Sequence, residues 1–187
     1  NRDWIDVDAP STRVVNMNVL GDALQTLRDP KIEVLFVYNA NPAVTVPDQN
    51  AVLRGLARED LFTVVSDQVL TDSALWADLV LPAATFLEST DLRGGYGSYV
   101  LAALRPVVEP RGEAKPNTEI FRLLAARLGL DDPCFRDSDE ELVEQVLATA
   151  PSHVRLDGLD ERGWAKVDLG QGGRPHAEGG FGTVDGK

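Results

Sequence analysis

Three short apolar runs, each followed by a stop signal and separated by helical patterns, constrain this 187-residue chain more than anything else in it. Ile32-Glu33-Val34-Leu35-Phe36-Val37-Tyr38 is nearly continuous in apolar character, as expected of a strand buried on both faces of a parallel sheet. The cluster Asn39-Ala40-Asn41-Pro42 ends it. Asp48 then stands where it can cap a helix whose buried face is Val52, Leu53, Leu56 and Ala57. Leu61-Phe62-Thr63-Val64-Val65 reads as a second strand, stopped at Ser66-Asp67. A short helix from about Thr71 to Trp76 leads into a third, Asp78-Leu79-Val80-Leu81, ended by Pro82. Connections this short between parallel strands require consecutive βαβ units. The fold class read from this pattern is α/β, with a short parallel sheet.

The flanks are less regular. Val19, Leu20, Ala23, Leu24 and Leu27 recur with helical spacing before Asp29-Pro30, behind an aperiodic lead-in. After Glu88, residues 89–98 read as a loop with three glycines, and 99–108 as an apolar extended stretch. Asn117 is expected to cap a helix carrying Ile120, Phe121, Leu124 and Leu128, closed by Gly129. Ser138 and Glu141 stand in capping-box spacing ahead of another helix with Leu142, Val143, Val146 and Leu147. From 151 onward nine glycines fall in 37 residues, the mark of an irregular connector. The organisation read here is a lead-in with one helix (1–30), a cofactor-sized α/β unit (31–110), a helical segment (111–150) and a glycine-rich connector (151–187).

Composition excludes several functions. Thirty acidic against eighteen basic residues give a net charge of −12, opposite to the basic footprint of a nucleic-acid binder. Asp131, Asp132, Asp137, Asp139, Glu140, Glu141 and Glu144 crowd into fourteen residues; they read as a solvated helix face, with an acidic docking surface as the alternative. A single cysteine, Cys134, and two histidines 23 residues apart, His153 and His176, offer no disulfide, zinc site or iron–sulfur cluster. No apolar run is long enough to span a membrane, and no secretory signal opens the chain, so a cytoplasmic protein is the expectation. An opening Asn1, with Met17 the only methionine, fits an internal stretch of a longer protein.

In an open parallel sheet, ligands bind where the strands end at their carboxyl termini. Here those ends carry Asn41-Pro42 and Ser66-Asp67. If the two strands are neighbours, about 5 Å apart, Asn41 and Asp67 lie within reach of one small ligand. An ionised Asp accepts from a ribose diol or the N–H edge of guanine, while Asn and Ser both donate and accept. The same residues also serve simply to end strands and cap helices. No glycine-rich phosphate loop follows a strand. Gly186-Lys187 is half of such a motif, with Phe181 where its first glycine belongs. No nucleophile elbow or Cys/His pair is present.

Residues 35–47 (LFVYNANPAVTVP), 61–67 (LFTVVSD), 71–88 (TDSALWADLVLPAATFLE) and 112–129 (GEAKPNTEIFRLLAARLG) together resemble the molybdopterin oxidoreductase family, in the right order and spacing. The segment from Gly179 to Lys187 resembles the stretch that precedes that family's C-terminal dinucleotide-binding barrel. The resemblance implies a Rossmann-like three-layer unit with appended helices. It also implies a molybdopterin guanine dinucleotide cofactor carrying molybdenum or tungsten in the parent protein, with an iron–sulfur cluster there but none held by this chain's own ligands. Asn41, Ser66 and Asp67 map to positions that contact the dinucleotide in relatives.

Two positions depart from the family pattern. Ser89 stands where some relatives place a phosphate-pairing Lys, and Asn117 where many place an Asp. The metal ligand, the cluster cysteines and the residues that choose the substrate lie outside the matched region. The expected partners are therefore the remaining domains of the same polypeptide and an electron-transfer subunit, with no nucleic acid and no membrane segment. From the residue pattern alone, a free-standing nucleotide-binding or protein-interaction α/β domain without a redox role is the alternative.

Overall fold

The computed structural model describes residues 13–149, 154–168, 176 and 179–184. The lead-in residues 1–12, His153 and Gly186-Lys187 lie outside the described residues. The chain divides into two units, Asn1–Pro82 and Ala83–Lys187.

In the first unit, strands β1 (Val34–Tyr38), β2 (Phe62–Asp67) and β3 (Leu79–Pro82) form a parallel sheet in that order, so the α/β expectation holds. The register pairs Val34 with Phe62, Val37 with Val65, Val65 in turn with Val80, and Tyr38 with Ser66. β2 runs two residues further than the apolar run suggested and takes in Ser66 and Asp67, because Tyr38 and Pro82 offer ladder partners there.

Parallel pairing puts Leu35, Val37, Val65 and Val80 on one face of the sheet. Among the described residues, that face carries the three α-helices of the unit. Leu20 of α1 (Leu20–Thr26), Ala43 and Val46 around α2 (Pro42–Thr45), and Val52 and Leu56 of α3 (Gln49–Leu56) pack around Leu35. Ala74, in the 3-10 turn Ala74–Trp76, packs on Val37 and Val65. Right-handed crossovers between strands laid down in one direction place both connections on the same side. Val34 and Tyr38 point the other way and are exposed, so β1 is not buried on both faces by the described residues of its own unit. Asp48 accepts from the Ala51 N–H at 3.0 Å and caps α3, as its position predicted; Ala57 is the exposed C-cap rather than part of the buried face.

In the second unit, β4 (Asp91–Gly94) and β5 (Val100–Leu104) form an antiparallel hairpin, which β6 (Ala165–Lys166) extends. The glycine-bearing stretch 89–98 thus contains a strand. Leu92, Leu101 and Ala103 cover Val143 and Leu147 of α5 (Asp139–Thr149) and Leu156 and Leu159 of α6 (Leu156–Arg162). Residues 156–166 are therefore a helix and a strand rather than irregular chain: Leu156 and Leu159 recur at helical spacing and Gly163 closes the turn at φ 78°. Arg105 ties the unit together, meeting Asp160 through two bonds of 3.0 and 2.7 Å and Glu140 at 3.0 Å.

The capping box at α5 forms as read. The Ser138 N–H donates to Glu141 at 2.7 Å, and the Glu141 N–H donates to the Ser138 hydroxyl at 3.2 Å. The acidic run is mostly engaged within the unit. Asp131 pairs with Arg136, Asp137 accepts from Gln145, Asp139 pairs with Arg122 and Glu140 with Arg105. α4 (Asn117–Leu128) begins differently from expectation: Pro116 is its N-cap and Asn117 makes no capping bond, because it is already inside the first turn.

Candidate functional site

β1 and β2 are neighbours, so the condition for a shared site at their carboxyl ends is met. The Asn39 N–H donates to the Ser66 carbonyl at 3.2 Å, carrying the pairing one step past β1. Asn39 adopts φ 50°, a left-handed conformation that Asn tolerates better than most residues, and this turns the chain toward Asn41.

Asn41 is anchored from both ends of its amide. Its Oδ1 accepts from the Ser73 N–H at 3.1 Å and the Ser73 hydroxyl at 2.8 Å, and its Nδ2 donates to Asp72 at 3.2 Å. The buried Ser73 hydroxyl also accepts from the Ala43 N–H at 3.0 Å. The loop after β1 and the segment after β2 are thereby locked together. One Nδ2 hydrogen of Asn41 has no partner among the described residues and is available to a ligand. Asp72 and Ser73 were not singled out from the sequence. The only signal there was the polar run Thr71-Asp72-Ser73 ahead of a short helix.

Ser66 stands on the middle strand, 1% exposed, and its hydroxyl has no hydrogen-bond partner among the described residues. A buried polar group left alone costs roughly 1–3 kcal/mol, so an orphan at a strand's carboxyl end calls for a partner. Asp67 follows, partly exposed. Its Oδ1 accepts from the Gln68 N–H at 2.7 Å, while no partner is recorded for Oδ2 among the described residues.

Ser89 and Asn117 belong to the second unit. Its first residues pair with the chain leading into α4: Ala83 bridges Lys115, and the Ala84 N–H donates to the Lys115 carbonyl at 2.8 Å. Ser89 spends its hydroxyl on the Thr85 carbonyl at 3.1 Å. Beside it, Glu88 accepts from the Thr85 N–H at 2.7 Å and the Arg111 N–H at 2.9 Å. The Thr85 N–H and hydroxyl, followed by Arg111, hold the Glu88 carboxyl below its ordinary range. Thr85-x-x-Glu88 has capping-box spacing, the signal by which this clamp could have been found. The Oδ1 of Asn117 and the hydroxyl of Thr118, adjacent in the first turn of α4, are both buried and unpartnered. Thr118 was missed because a Thr in a helix start reads as an ordinary helix residue.

Among the described residues no three of His, Cys, Asp and Glu gather as metal ligands, and Cys134 is exposed. No helix among them is long and apolar enough to cross a membrane.

Residues 12–127 match the sequence model of the molybdopterin oxidoreductase family. The chain belongs to this family.

Among the molybdopterin oxidoreductase relatives, "Probable oxidoreductase YoaE" of Bacillus subtilis is 50% identical over 148 residues, 79% of this chain and 22% of the relative. "Probable oxidoreductase YyaE" of the same organism is 35% identical over 164 residues, 86% of this chain and 24% of the relative. Acetylene hydratase from Pelobacter acetylenicus superposes with a TM-score of 0.68 at 27% identity, covering 83% of this chain and 21% of that structure. The chain thus spans less than a quarter of the length of these relatives.

Proposed function

We propose that this chain is one section of a longer molybdopterin-dependent oxidoreductase and helps to hold the guanine dinucleotide end of the cofactor. The observation that carries this reading is the buried, unpartnered Ser66 hydroxyl at the carboxyl end of the middle strand, with the half-free Asp67 carboxylate next along the strand on its other face. Strand ends of a parallel sheet are where such sheets bind nucleotides.

The donor set suits the nucleotide tail. Asp67 Oδ2 accepts from a ribose hydroxyl or guanine N–H, Ser66 either donates or accepts, and Asn41 has one N–H to give. In the second unit, taken by itself, Asn117 carries an unpartnered carbonyl oxygen that an N–H group of the cofactor would satisfy. Ser89 contributes least, since its hydroxyl is already bonded to Thr85. The residues present do not suit the metal end, so molybdenum or tungsten would be held elsewhere in the parent protein. When bound, that centre supplies the redox chemistry; this chain's residues bind and orient the dinucleotide and are not catalytic alone. An iron–sulfur cluster, the electron partner and the substrate site would likewise belong to the remaining domains.

The names of the relatives support this division. Two are called oxidoreductases and one a hydratase, yet all share this segment. A stretch common to proteins named for different reactions is a poor place to choose the substrate, which supports a role outside substrate selection.

The test is Asp67→Ala in the full-length protein, with molybdenum and pterin content measured after purification. Loss of cofactor, with the thermal stability of the cofactor-free protein unchanged, supports the assignment. Full content in the mutant would sink it.

A further inference from the structure

Charge in the first unit is sorted by end. Its described Lys and Arg side chains are Arg13, Arg28, Lys31, Arg54 and Arg58, and they gather at the amino-terminal end of the parallel sheet. Arg28, Lys31, Arg54 and Arg58 line one open groove of about 530 Å³ with Gln25 and Asp60, and none of these lining residues is apolar. Arg13 stands by, donating to the carbonyls of Asp29 and Pro30 at 3.2 and 2.8 Å. Asp29, Glu33 and Glu59, close in sequence, are exposed and outside the lining. The opposite end of the sheet carries Asp48, Asp67 and Asp72 and no cation among the described residues. Two of the groove's cations are already engaged. Arg58 donates to the carbonyls of Leu24 and Ile32 and to Asp60, closing the end of α1, and Lys31 shares Asp60. Arg54 and Arg28 differ. Gln25, held by the Gly21 and Ala51 carbonyls at 2.9 and 3.1 Å, accepts from Arg54 Nε at 3.4 Å. Both Nη groups of the exposed Arg54 then have no partner among the described residues. The exposed Arg28 uses only Nη1, on the Leu27 carbonyl at 3.1 Å.

We propose that this groove docks an acidic segment of a separate protein, with Arg28 and Arg54 taking its carboxylates. A planar guanidinium with unpaired N–H groups matches a carboxylate through two parallel bonds. The chain carries a net charge of −12, which repels such a partner elsewhere, so the one cationic groove fixes where and in what orientation it lands. An open groove does not enclose a small anion as a ligand cavity does. Permanent interfaces are apolar, and burying an unpaired guanidinium is costly, so this lining suits a contact that is made and broken. The groove lies at the other end of the sheet from Ser66. A partner docked there leaves the strand ends of the candidate site open, and the inference does not rest on the cofactor contacts.

The probe is a fluorescent oligoglutamate peptide, and its binding to the full-length protein is read by anisotropy at low salt. The double variant Arg28→Gln/Arg54→Gln should weaken binding about tenfold or more. Arg127→Gln, an exposed α4 residue outside the groove, should leave it unchanged. Salt at about 0.5 M should abolish binding to the parent, since exposed charges are screened. Arg58 is left in place because its bonds hold the Leu24 and Ile32 carbonyls. Failure of the peptide to bind the full-length protein overturns the proposal, as it would if the remaining chain covered the groove. Equal binding by the double variant also overturns it, since the peptide then sits elsewhere. Inorganic pyrophosphate is the second probe: binding tighter than the peptide's, lost in the same variant, would assign the groove to a small anion and end the docking proposal. None of these readouts involves molybdenum content, so failure here and failure of the cofactor assignment are told apart.

Discussion

Gly21 in α1 and Val52 in α3 lie so close that a Cβ on Gly21 would stand 2.6 Å from the Val52 backbone nitrogen. The contact is reciprocal: a Cβ on Gly55 of α3 would stand 2.7 Å from that of Leu24 in α1. Two glycines thus let the helices approach backbone to backbone over the sheet.

Gly21→Ala must therefore push α1 away from α3, since the obstructing atoms are backbone and cannot rotate aside. The expected loss is about 1–3 kcal/mol, the usual cost of overpacking. Gly158→Ala in α6 meets nothing within 4 Å and should instead gain about 0.5–1 kcal/mol. Urea unfolding of the two variants of the full-length protein checks the contrast. Equal midpoints would contradict it.

Ser73→Ala removes the hydroxyl that donates to Asn41 and accepts from the Ala43 N–H. Two buried groups lose a partner, and a cost of about 1–3 kcal/mol is expected. If Asn41 holds the cofactor through its remaining N–H, loosening its amide should also lower molybdenum content, and metal analysis at a temperature where the variant is folded measures that.

Thr63 and Ser66 both bury unpartnered hydroxyls on β2, and their substitutions should separate structure from binding. Thr63→Val removes an orphan without opening a cavity and is expected to stabilise by about 1 kcal/mol. Ser66→Ala should leave the stability of cofactor-free protein within about 0.5 kcal/mol of the parent, yet reduce cofactor content. Undiminished content would remove Ser66 from the site.

Three carboxylates are held below their ordinary range by the hydrogen bonds they accept. The Thr85 N–H and hydroxyl act on Glu88, the Ser138 N–H and hydroxyl on Glu141, and the Arg105 guanidinium on Asp160. A folded-state pKa below the unfolded value means the contribution is complete above the unfolded value. It is lost as pH falls through the folded one. Stability should be flat from pH 7 to about 5 and decline below about pH 4. Urea midpoints across that range test it, and Glu141→Gln, which cannot titrate, should show a shallower decline.

The parts of this fold that were legible from sequence are those where one local rule acts alone. The apolar runs gave all three parallel strands, Asp48 and the Ser138/Glu141 pair marked their helix starts, and Gly129 closed α4 at φ 72°. What was hidden depends on partners distant in sequence. β4 shows only Leu92 as an apolar signal and becomes a strand because Val100–Leu104 pairs with it. β6 is two residues long and exists only against β5. At the candidate site, the strand ends were visible as Asn-Pro and Ser-Asp. That Asn41 is gripped by Ser73, 32 residues later, follows from the crossover geometry and leaves no local trace.

The pairing of Val100 with Lys166 and the reach of Arg105 to Asp160 also set an order of events during synthesis. All three strands of the first unit and the helices packed on them are encoded before residue 83, so its core can close once that length has cleared the ribosome. The second unit has its hairpin early but its sealing strand last. Until about residue 166 has emerged, Leu101 and Ala103 lack the cover of Leu156, Leu159 and Ala165, and a nascent chain stalled in that interval leaves part of the hairpin's apolar face open to chaperones.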